Sequence, residues 1–221
     1  MRLLKFLFRL IIYFFLITLA WVGLLAFVPP PITATMLMDE NDITKDWTAF
    51  SDMSPNMARA VIAAEDSKFC SHDGFDREAI QKAMKKNAKG GRIRGGSTIS
   101  QQTAKNVFLW QGGGYFRKGL EAYFTFLIEK IWGKKRIMEV YLNVAETGIG
   151  TYGVQVGAQR YFNKDARDLT RIEAARIAAA LPLPKKRAVN GAKGFTRRYG
   201  NMIAARIDVV KRENLDSCIY K

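Results

Sequence analysis

The amino-acid sequence predicts a mainly α-helical protein with one transmembrane helix at its N-terminus. Residues 10–28 contain no charged side chain, and a helix of that length crosses the hydrocarbon core of a bilayer. In the rest of the chain, apolar residues recur at the three- and four-residue spacing of helices. No stretch alternates for long as a strand would. The chain has 221 residues, enough for one domain of ordinary size with a sizeable core.

The charges beside the apolar run predict its orientation. Arg2, Lys5 and Arg9 precede it and prolines follow it at 29–31, which places the N-terminus in the cytoplasm and the rest of the chain outside. A cleaved signal peptide is the alternative, but its apolar region is usually shorter and a small-residue cleavage site should follow. We therefore expect a short cytoplasmic basic segment over 1–9, a membrane anchor over 10–28, a linker over 29–53 and a folded domain over 54–221.

The composition restricts the partners and the metal chemistry. Lysine and arginine number 35 against 20 aspartates and glutamates, a net charge of +15. This excess favours an anionic partner, which is a nucleic acid, a phosphate-bearing substrate or an anionic membrane. The anchor argues against nucleic acid, because it places the basic domain outside the cytoplasm. His72 is the single histidine, which excludes a metal site built on several histidines.

Two cysteines, Cys70 and Cys218, are too few for a disulfide framework and lack the spacing of metal ligands. Outside the cytoplasm a bond between them is chemically allowed. Cys218 falls in a C-terminal tail that is expected to fray, so the sequence predicts two unpaired thiols.

Glu65 is the residue around which the folded domain is organised. A helix is expected to begin with Ser54 as N-cap and Pro55 as first residue. On this helix Glu65 shares one face with the apolar residues Ala58, Val61 and Ile62, whereas Asp66 turns towards the side of Arg59. An unpaired buried charge is costly, so Glu65 is either paired in the core or kept for chemistry.

A basic helix and a basic loop come next. The helix is expected from about 77 to 87 with Asp76 as its cap. Its apolar side is formed by Ala79, Ile80, Ala83 and Met84, and most of its other side by Lys82, Lys85, Lys86 and Lys89. A solvated basic face and an anion-binding face both remain open. Two glycine pairs flank arginines over 90–96, which predicts a basic loop.

The following helix carries a polar stripe. Ser97 or Thr98 can cap it, and one arc of about 140° presents Thr98, Gln101, Gln102, Lys105 and Asn106. Amides and an ammonium suit a sugar and a phosphate, because they supply paired donors and acceptors and a point charge. A basic loop before a helix N-terminus also favours anions.

A second carboxylate stands between two cations. A helix is expected from about 115 to 132, where Glu121 follows Arg117 by four residues and Lys118 by three. These three residues form either a weak surface ion pair or a carboxylate that orients two phosphate-binding cations. The apolar stripe of this helix is predicted to be Phe116, Leu120, Tyr123, Phe124, Leu127 and Ile131.

Four further helices complete the domain. They are expected over about 134–145, 154–162, 171–181 and 196–214. The glycines from 148 to 153 end the first of them, and Thr170 with Glu173 forms a capping box for the third.

The motifs occur in an order that is specific. They are Glu65-Asp66-x-x-Phe69-x-x-His72-x-Gly74, Gly96-x-Thr98-Ile99-x-Gln101-Gln102-x-x-Lys105-Asn106, Arg117-Lys118-x-x-Glu121 and Ile137-x-Glu139-x-Tyr141-Leu142-Asn143. This order resembles the peptidoglycan glycosyltransferases of family 51, and the resemblance extends from about 54 to 184. It is closest to the small monofunctional members that have one N-terminal membrane helix.

The resemblance implies a lysozyme-like fold with a smaller membrane-facing lobe. It also implies that the protein polymerises lipid II into β-1,4-linked glycan strands with inversion and release of polyprenyl diphosphate. Its partners are then lipid II, the growing strand and the membrane, with other cell-wall synthases as further candidates and no nucleic acid. The expected location is the cytoplasmic (inner) membrane, with a periplasmic or other extracytoplasmic catalytic domain.

The resemblance also assigns residues. Glu65 is expected to take the proton from the acceptor sugar's 4-hydroxyl group, and Glu121 is the second catalytic carboxylate. The substrate-binding residues are Asp66, His72, Ser97, Thr98, Gln101, Gln102, Lys105, Asn106, Arg117 and Lys118. Within this set His72 is expected to order the loop after Glu65. No metal ligand is assigned, and a divalent cation (Mg²⁺ or Mn²⁺) at the diphosphate stays open.

Two other functions remain to be weighed. A lytic, lysozyme-like enzyme also uses two carboxylates, but it has no diphosphate for a cation cluster to hold. A non-enzymatic anchored protein that binds cell-wall polymer needs neither Glu65 on an apolar face nor the stripe of Gln101, Gln102 and Lys105.

Overall fold

The structure is a computed structural model that describes residues 2–88 and 96–220. The predicted basic loop therefore lies outside the described residues except for Gly96, as do Lys89 and the side chain of Lys86. The described helices are α1 (Arg2–Leu25), α2 (Ala34–Leu37), α3 (Pro55–Glu65), α4 (Arg77–Ala88), α5 (Ile99–Phe108), α6 (Gly114–Ile131), α7 (Gly133–Val144), α8 (Val154–Phe162), α9 (Arg171–Ala180) and α10 (Gly194–Arg212). The strands are β1 (Thr44–Lys45), β2 (Glu146–Gly148) and β3 (Thr151–Tyr152), with short 3₁₀ turns at Phe50–Asp52 and Ala166–Asp168.

The mainly helical prediction is confirmed, and the helices form two groups around one core. In the first, α3 packs against α9 and α10, and in the second α5 packs against α6 and α7. Met57, Ala58, Ala60 and Val61 of α3 are fully buried, because this helix is apolar on nearly all sides. A small sheet has the order β1–β3–β2, in which β1 is parallel and β2 antiparallel to β3.

The N-terminal helix is attached to the domain by polar as well as apolar contacts. It begins at Arg2, so the basic residues expected to precede the membrane helix are themselves helical, and it ends at Leu25. The hydroxyl groups of Thr18 and Tyr123 share a hydrogen bond of 2.7 Å. Farther along α1, Trp132 Nε1 donates to the carbonyl of Val22 at 2.8 Å. These contacts fix α1 against α6, so the anchor is part of the folded unit.

The segment 29–53, which the sequence predicts to be a linker, contributes to the fold. Met36, Phe50 and Met53 are buried in the core. Asn143 of α7 accepts from the amide of Thr48 and donates to its carbonyl, both at 2.9 Å. The amide of Phe50 donates to Glu139 at 2.9 Å. A low density of periodic apolar residues therefore marks irregular backbone here, not separation from the domain.

Three expectations about helix faces are wrong. Phe116, Met84 and Ile131, which were assigned to apolar stripes, are exposed by 73%, 66% and 36%. The buried face of α6 is instead formed by Glu121, Phe124, Thr125 and Ile128. Ser54 does occupy the N-cap of α3, but its hydroxyl donates to the carbonyl of Leu169 at 2.8 Å instead of capping the helix.

The expectation of unpaired cysteines is also wrong, because Cys70 and Cys218 form a disulfide bond with their Cα atoms 5.4 Å apart. The tail does not fray. Ile219 is buried, and Asp216 forms a partly buried ion pair of 2.6 Å with Arg59 of α3. The bond joins the C-terminal tail to the loop that follows Glu65.

We expect Cys218→Ser to lower the free energy of unfolding by about 2–4 kcal/mol, because a disulfide that closes a long loop restricts the unfolded chain. The bond spans a sequence separation of 148 residues. Denaturant unfolding measures the loss, and the wild-type protein treated with reductant is the control that should match the variant. Equal stability of the variant and the oxidised wild type, or two free thiols in mass spectrometry without reductant, would contradict the bond.

Candidate functional site

Glu65 is the last residue of α3 and lies where the two groups of helices meet. Its Oε2 accepts a hydrogen bond of 2.9 Å from Gln102 of α5. The amide oxygen of Gln102 in turn accepts from the hydroxyl of Tyr141 on α7 at 3.3 Å. Burial raises the pKa of Glu65, while the bond from Gln102 and the charge of Arg187 act in the opposite direction. Glu65 is therefore a desolvated carboxyl group held by one neutral donor, which suits a proton acceptor.

Asp66 and His72 organise the loop after Glu65. Asp66 does not turn towards Arg59, because it is buried and its Oδ2 accepts from the amide of Ile99, the first residue of α5, at 3.0 Å. His72 Nδ1 accepts from the amide of Gly74 at 3.1 Å, so Nε2 is the donor to Asp66 at 3.0 Å. These contacts join the loop to α5 and fit the expected ordering role of His72.

The backbone conformation and packing at position 74 explain why the motif that begins at Glu65 ends in glycine. Its φ is +93°, and an added Cβ atom would lie 2.8 Å from Thr125 Cγ2. A side chain there would meet both backbone strain and a clash with α6.

The polar stripe of α5 divides into capping residues and cavity residues. Thr98 and Gln101 form a capping box, and the Thr98 hydroxyl also donates to the carbonyl of Gly74 at 2.7 Å, so their polar groups are engaged within the protein. Gln102, Lys105 and Asn106 instead line a cavity of about 520 Å³.

Lys105 carries a desolvated charge in that cavity. Burial lowers its pKa, Glu121 opposes this shift, and the charges of Arg117 and Lys118 lower it further. An anion that enters the cavity would therefore replace solvation that this ammonium group has lost.

The Arg117–Lys118–Glu121 cluster is present and is more buried than a surface ion pair. Glu121 is 2% exposed, Arg117 Nη1 lies 2.6 Å from its Oε2, and Lys118 Nζ contacts its Oε1. Lys118 Nζ also donates to the hydroxyl of Ser97 at 3.1 Å. Because cations hold both of its oxygens, Glu121 positions Arg117 and Lys118 and is poorly placed to accept a proton.

These contacts do not suit a divalent cation bound by the protein at Glu121, since the two cations on its oxygens would repel the metal. Within residues 2–88 and 96–220, no three histidine, cysteine, aspartate or glutamate side chains form a group that could hold a metal ion.

The cavity is also lined by residues that the sequence did not identify as site residues. The turn after α9 contributes Leu181 to Lys186, and Asp39 and Glu146 also line the cavity. Lys185 Nζ donates to Asp39 at 2.9 Å. Because these residues come from separate segments, no local spacing in the sequence predicts their approach. For Tyr141 the sequence carries one signal, because its hydroxyl group stands at helical spacing among the apolar residues Ile137, Val140 and Val144.

Comparison with known proteins shows what the chain is similar to. A family model described as Transglycosylase matches residues 32–208. Similar proteins include the biosynthetic peptidoglycan transglycosylase of Caulobacter vibrioides, which is 50% identical over 196 residues, or 87% of this chain and 86% of that protein. The protein of the same name from Bdellovibrio bacteriovorus is 45% identical over 216 residues, or 92% and 86%. The one from Pseudomonas aeruginosa is 47% identical over 191 residues, or 81% and 82%.

Proposed function

This chain belongs to the transglycosylase family, and from that membership we propose that Glu65 is the base with which it polymerises lipid II. The chain is a peptidoglycan glycosyltransferase that makes glycan strands for the cell wall, and its lysozyme-like domain is anchored to the membrane by α1.

In the proposed reaction, Glu65 removes the proton of the 4-hydroxyl group on the acceptor sugar. The oxygen attacks C1 of the donor sugar while the bond from C1 to the diphosphate breaks, so an α-linked donor yields a β linkage. Gln102 holds Glu65 through one hydrogen bond and is itself held by Tyr141. This fixed geometry aligns the carboxylate with the attacking hydroxyl.

The diphosphate gains negative charge as it leaves. Lys105 faces the cavity, and Arg117 and Lys118 are kept beside it by the buried carboxylate of Glu121. Preorganised cations in a desolvated site stabilise a developing anion more strongly than water does.

The single observation that carries the proposal is the position of Gln102 and Lys105 on one cavity wall. They are three residues apart on α5, so their side chains are neighbours. Gln102 donates a hydrogen bond to the desolvated carboxylate of Glu65, and Lys105 is the desolvated cation. A base and an anion site this close together are what glycosyl transfer from a diphosphate requires. A lytic enzyme would use the base but has no substrate group for Lys105.

Incubation of the purified protein with lipid II tests the function. We expect polymer on a gel together with released polyprenyl diphosphate. Isolated glycan strands offered in a parallel reaction should remain intact. Cleavage of those strands without polymer from lipid II would instead favour the lytic function.

The docking of α1 supports a membrane position for the start of α6. Phe14, Phe15 and Thr18 contact Tyr123 near the middle of α6, whereas Val22 contacts Trp132 at its end. The two helices therefore rise in the same direction. Residues 14–18 lie within the uncharged run that is expected to cross the bilayer. Tyr123 and the first turns of α6 are thus expected to lie against the membrane.

The stretch from Phe108 to Phe116 is rich in aromatic residues, which favour a membrane interface. The exposed fractions of its side chains indicate which of these residues can reach the membrane. Phe108 and Leu109 are buried, Trp110 is half-buried, and Tyr115 and Phe116 are exposed by 98% and 73%. Arg117 and Lys118 follow directly, so the diphosphate site would lie next to the turn that contacts the membrane. Tyr115 and Phe116 are therefore the residues to test.

A nitroxide spin label at Tyr115→Cys, in the full chain in lipid nanodiscs, is expected to collide with oxygen more readily than with a water-soluble nickel complex. The reason is that oxygen concentrates in the acyl region, where we place this side chain. A label at Ile172→Cys is the control, since Ile172 is 51% exposed on α9 and should show the reverse preference. Aqueous accessibility at Tyr115 equal to that at Ile172 would exclude membrane contact by this turn.

A further inference from the structure

Arg187 lies in the turn between α9 and α10, and its positive charge acts to lower the pKa of Glu65. Its backbone amide donates to the carbonyl of Leu183 at 2.9 Å. Its Nη1 donates to the carbonyl of Ala179 at 2.8 Å, its one side-chain hydrogen bond within the described part of the chain. The guanidinium group is therefore tied to a main-chain carbonyl and not to a carboxylate.

Two aromatic rings of α10 fix the other side of this guanidinium. Its carbon lies 5.3 Å from the ring centre of Phe195 and 5.9 Å from that of Tyr199. The two rings stack on each other at 5.6 Å with an interplanar angle of 17°. Arginine suits this place because it stacks on aromatic faces and stays charged at all working pH values.

The same ring connects Arg187 to the end of α3. The Tyr199 hydroxyl donates to the carbonyl of Ala64 at 2.9 Å, and Ala64 directly precedes Glu65. A continuous series of contacts thus runs from Arg187 through Tyr199 to the backbone of the base. Burial raises the pKa of Glu65, and Arg187 is the cation that opposes this rise.

Within residues 2–88 and 96–220, the other ionisable groups that act on Glu65 do not supply a positive charge. Asp66, in the loop after α3, raises the pKa of Glu65. Tyr141 on α7 and Tyr199 on α10 have pKa values raised by burial and by the charge of Glu65, so both are neutral near pH 7.

We propose that Arg187 is a positioning residue for Glu65, a cation clamped by Phe195 and Tyr199 that keeps the base ionised and its helix end in place. The inference rests on the proposed function of Glu65 and adds a residue that lies outside the motifs around Glu65, Lys105 and Glu121. The chain thereby offsets two features that disfavour an ionised Glu65, its burial and the adjacent Asp66.

The test compares pH profiles of lipid II polymerisation by the full-length protein in lipid nanodiscs. Arg187→Met and Arg187→Gln remove the charge, and we expect the acid limb of kcat/KM to move up by about 0.5–1 pH unit. Activity on the alkaline plateau should stay within about threefold of wild type, because Glu65 is ionised there in every protein. Arg187→Lys keeps the charge and should restore most of the shift. The control is Arg198→Met, which removes an exposed arginine of α10 and should leave the profile unchanged.

The outcomes separate this inference from the function on which it rests. A wild-type protein that makes no polymer would refute the proposed function itself. A wild type with a clear acid limb, together with unshifted limbs in both charge-removing variants, would refute only the role of Arg187. The same conclusion follows if both variants lose activity equally at all pH values, or if Arg187→Lys behaves like Arg187→Met, since either result indicates packing without a charge effect.

Discussion

Glu65→Gln is expected to abolish glycan polymerisation while leaving the fold intact. Glutamine keeps the size of the side chain and a hydrogen bond with Gln102, but it cannot take up a proton. General base catalysis contributes about 10²–10⁴-fold, so a loss in that range is expected when initial rates with lipid II are compared.

The direction in which Glu65→Gln changes the stability of the protein follows from the pKa shift of Glu65. The folded-state pKa of Glu65 is raised above its ordinary value of 4.5 by burial. A group with a raised folded pKa contributes stability below its unfolded pKa and loses that contribution as pH rises through its folded pKa. At neutral pH the ionised Glu65 therefore destabilises the folded protein, and Glu65→Gln should melt at the same or a higher temperature than wild type.

Glu213→Gln is the matched control, because Glu213 is an exposed residue at the end of α10. It should retain both activity and melting temperature. If Glu65→Gln kept more than about a tenth of the wild-type rate with normal melting, another group would have to act as the base.

The second large effect is expected for Lys105→Ala, which should lower the polymerisation rate by about 10²–10³-fold. That range is typical for the loss of one group that stabilises a developing anion. Lys105 faces the cavity and has a pKa lowered by burial, so its removal relieves a desolvated charge and should not unfold the protein. Arg117→Ala should be both inactive and less stable, because it leaves the buried carboxylate of Glu121 with Lys118 alone.

Binding of a phosphoglycolipid inhibitor of the moenomycin type separates anion binding from chemistry. Such a ligand offers a phosphate in place of the substrate's diphosphate, so calorimetry should show weaker binding to Lys105→Ala. Lys130→Ala, which removes an exposed lysine of α6, is expected to bind as wild type does. Wild-type inhibitor affinity in Lys105→Ala would place the anion elsewhere.

The sequence by itself determined the features that depend on residues close together along the chain. The start of α5 and the bounds of α8 and α9 follow from helical periodicity, capping residues and helix breakers, which act within a few residues. The approach of Arg117, Lys118 and Glu121 is likewise a consequence of helix geometry. Glu65 could be selected because an acidic residue on an apolar helix face is costly unless it is used.

Only the tertiary structure decided which helix faces are covered and which distant groups meet. Phe116 has the periodicity of a core residue but lies where no element packs on α6, so it is exposed. Cys218 reaches Cys70 because the buried Asp216 and Ile219 hold the tail against α3, and Arg187 approaches Glu65 because α10 presents two aromatic rings to it. These contacts join segments far apart in the chain, and their free energy depends on packing that no local pattern of residues encodes.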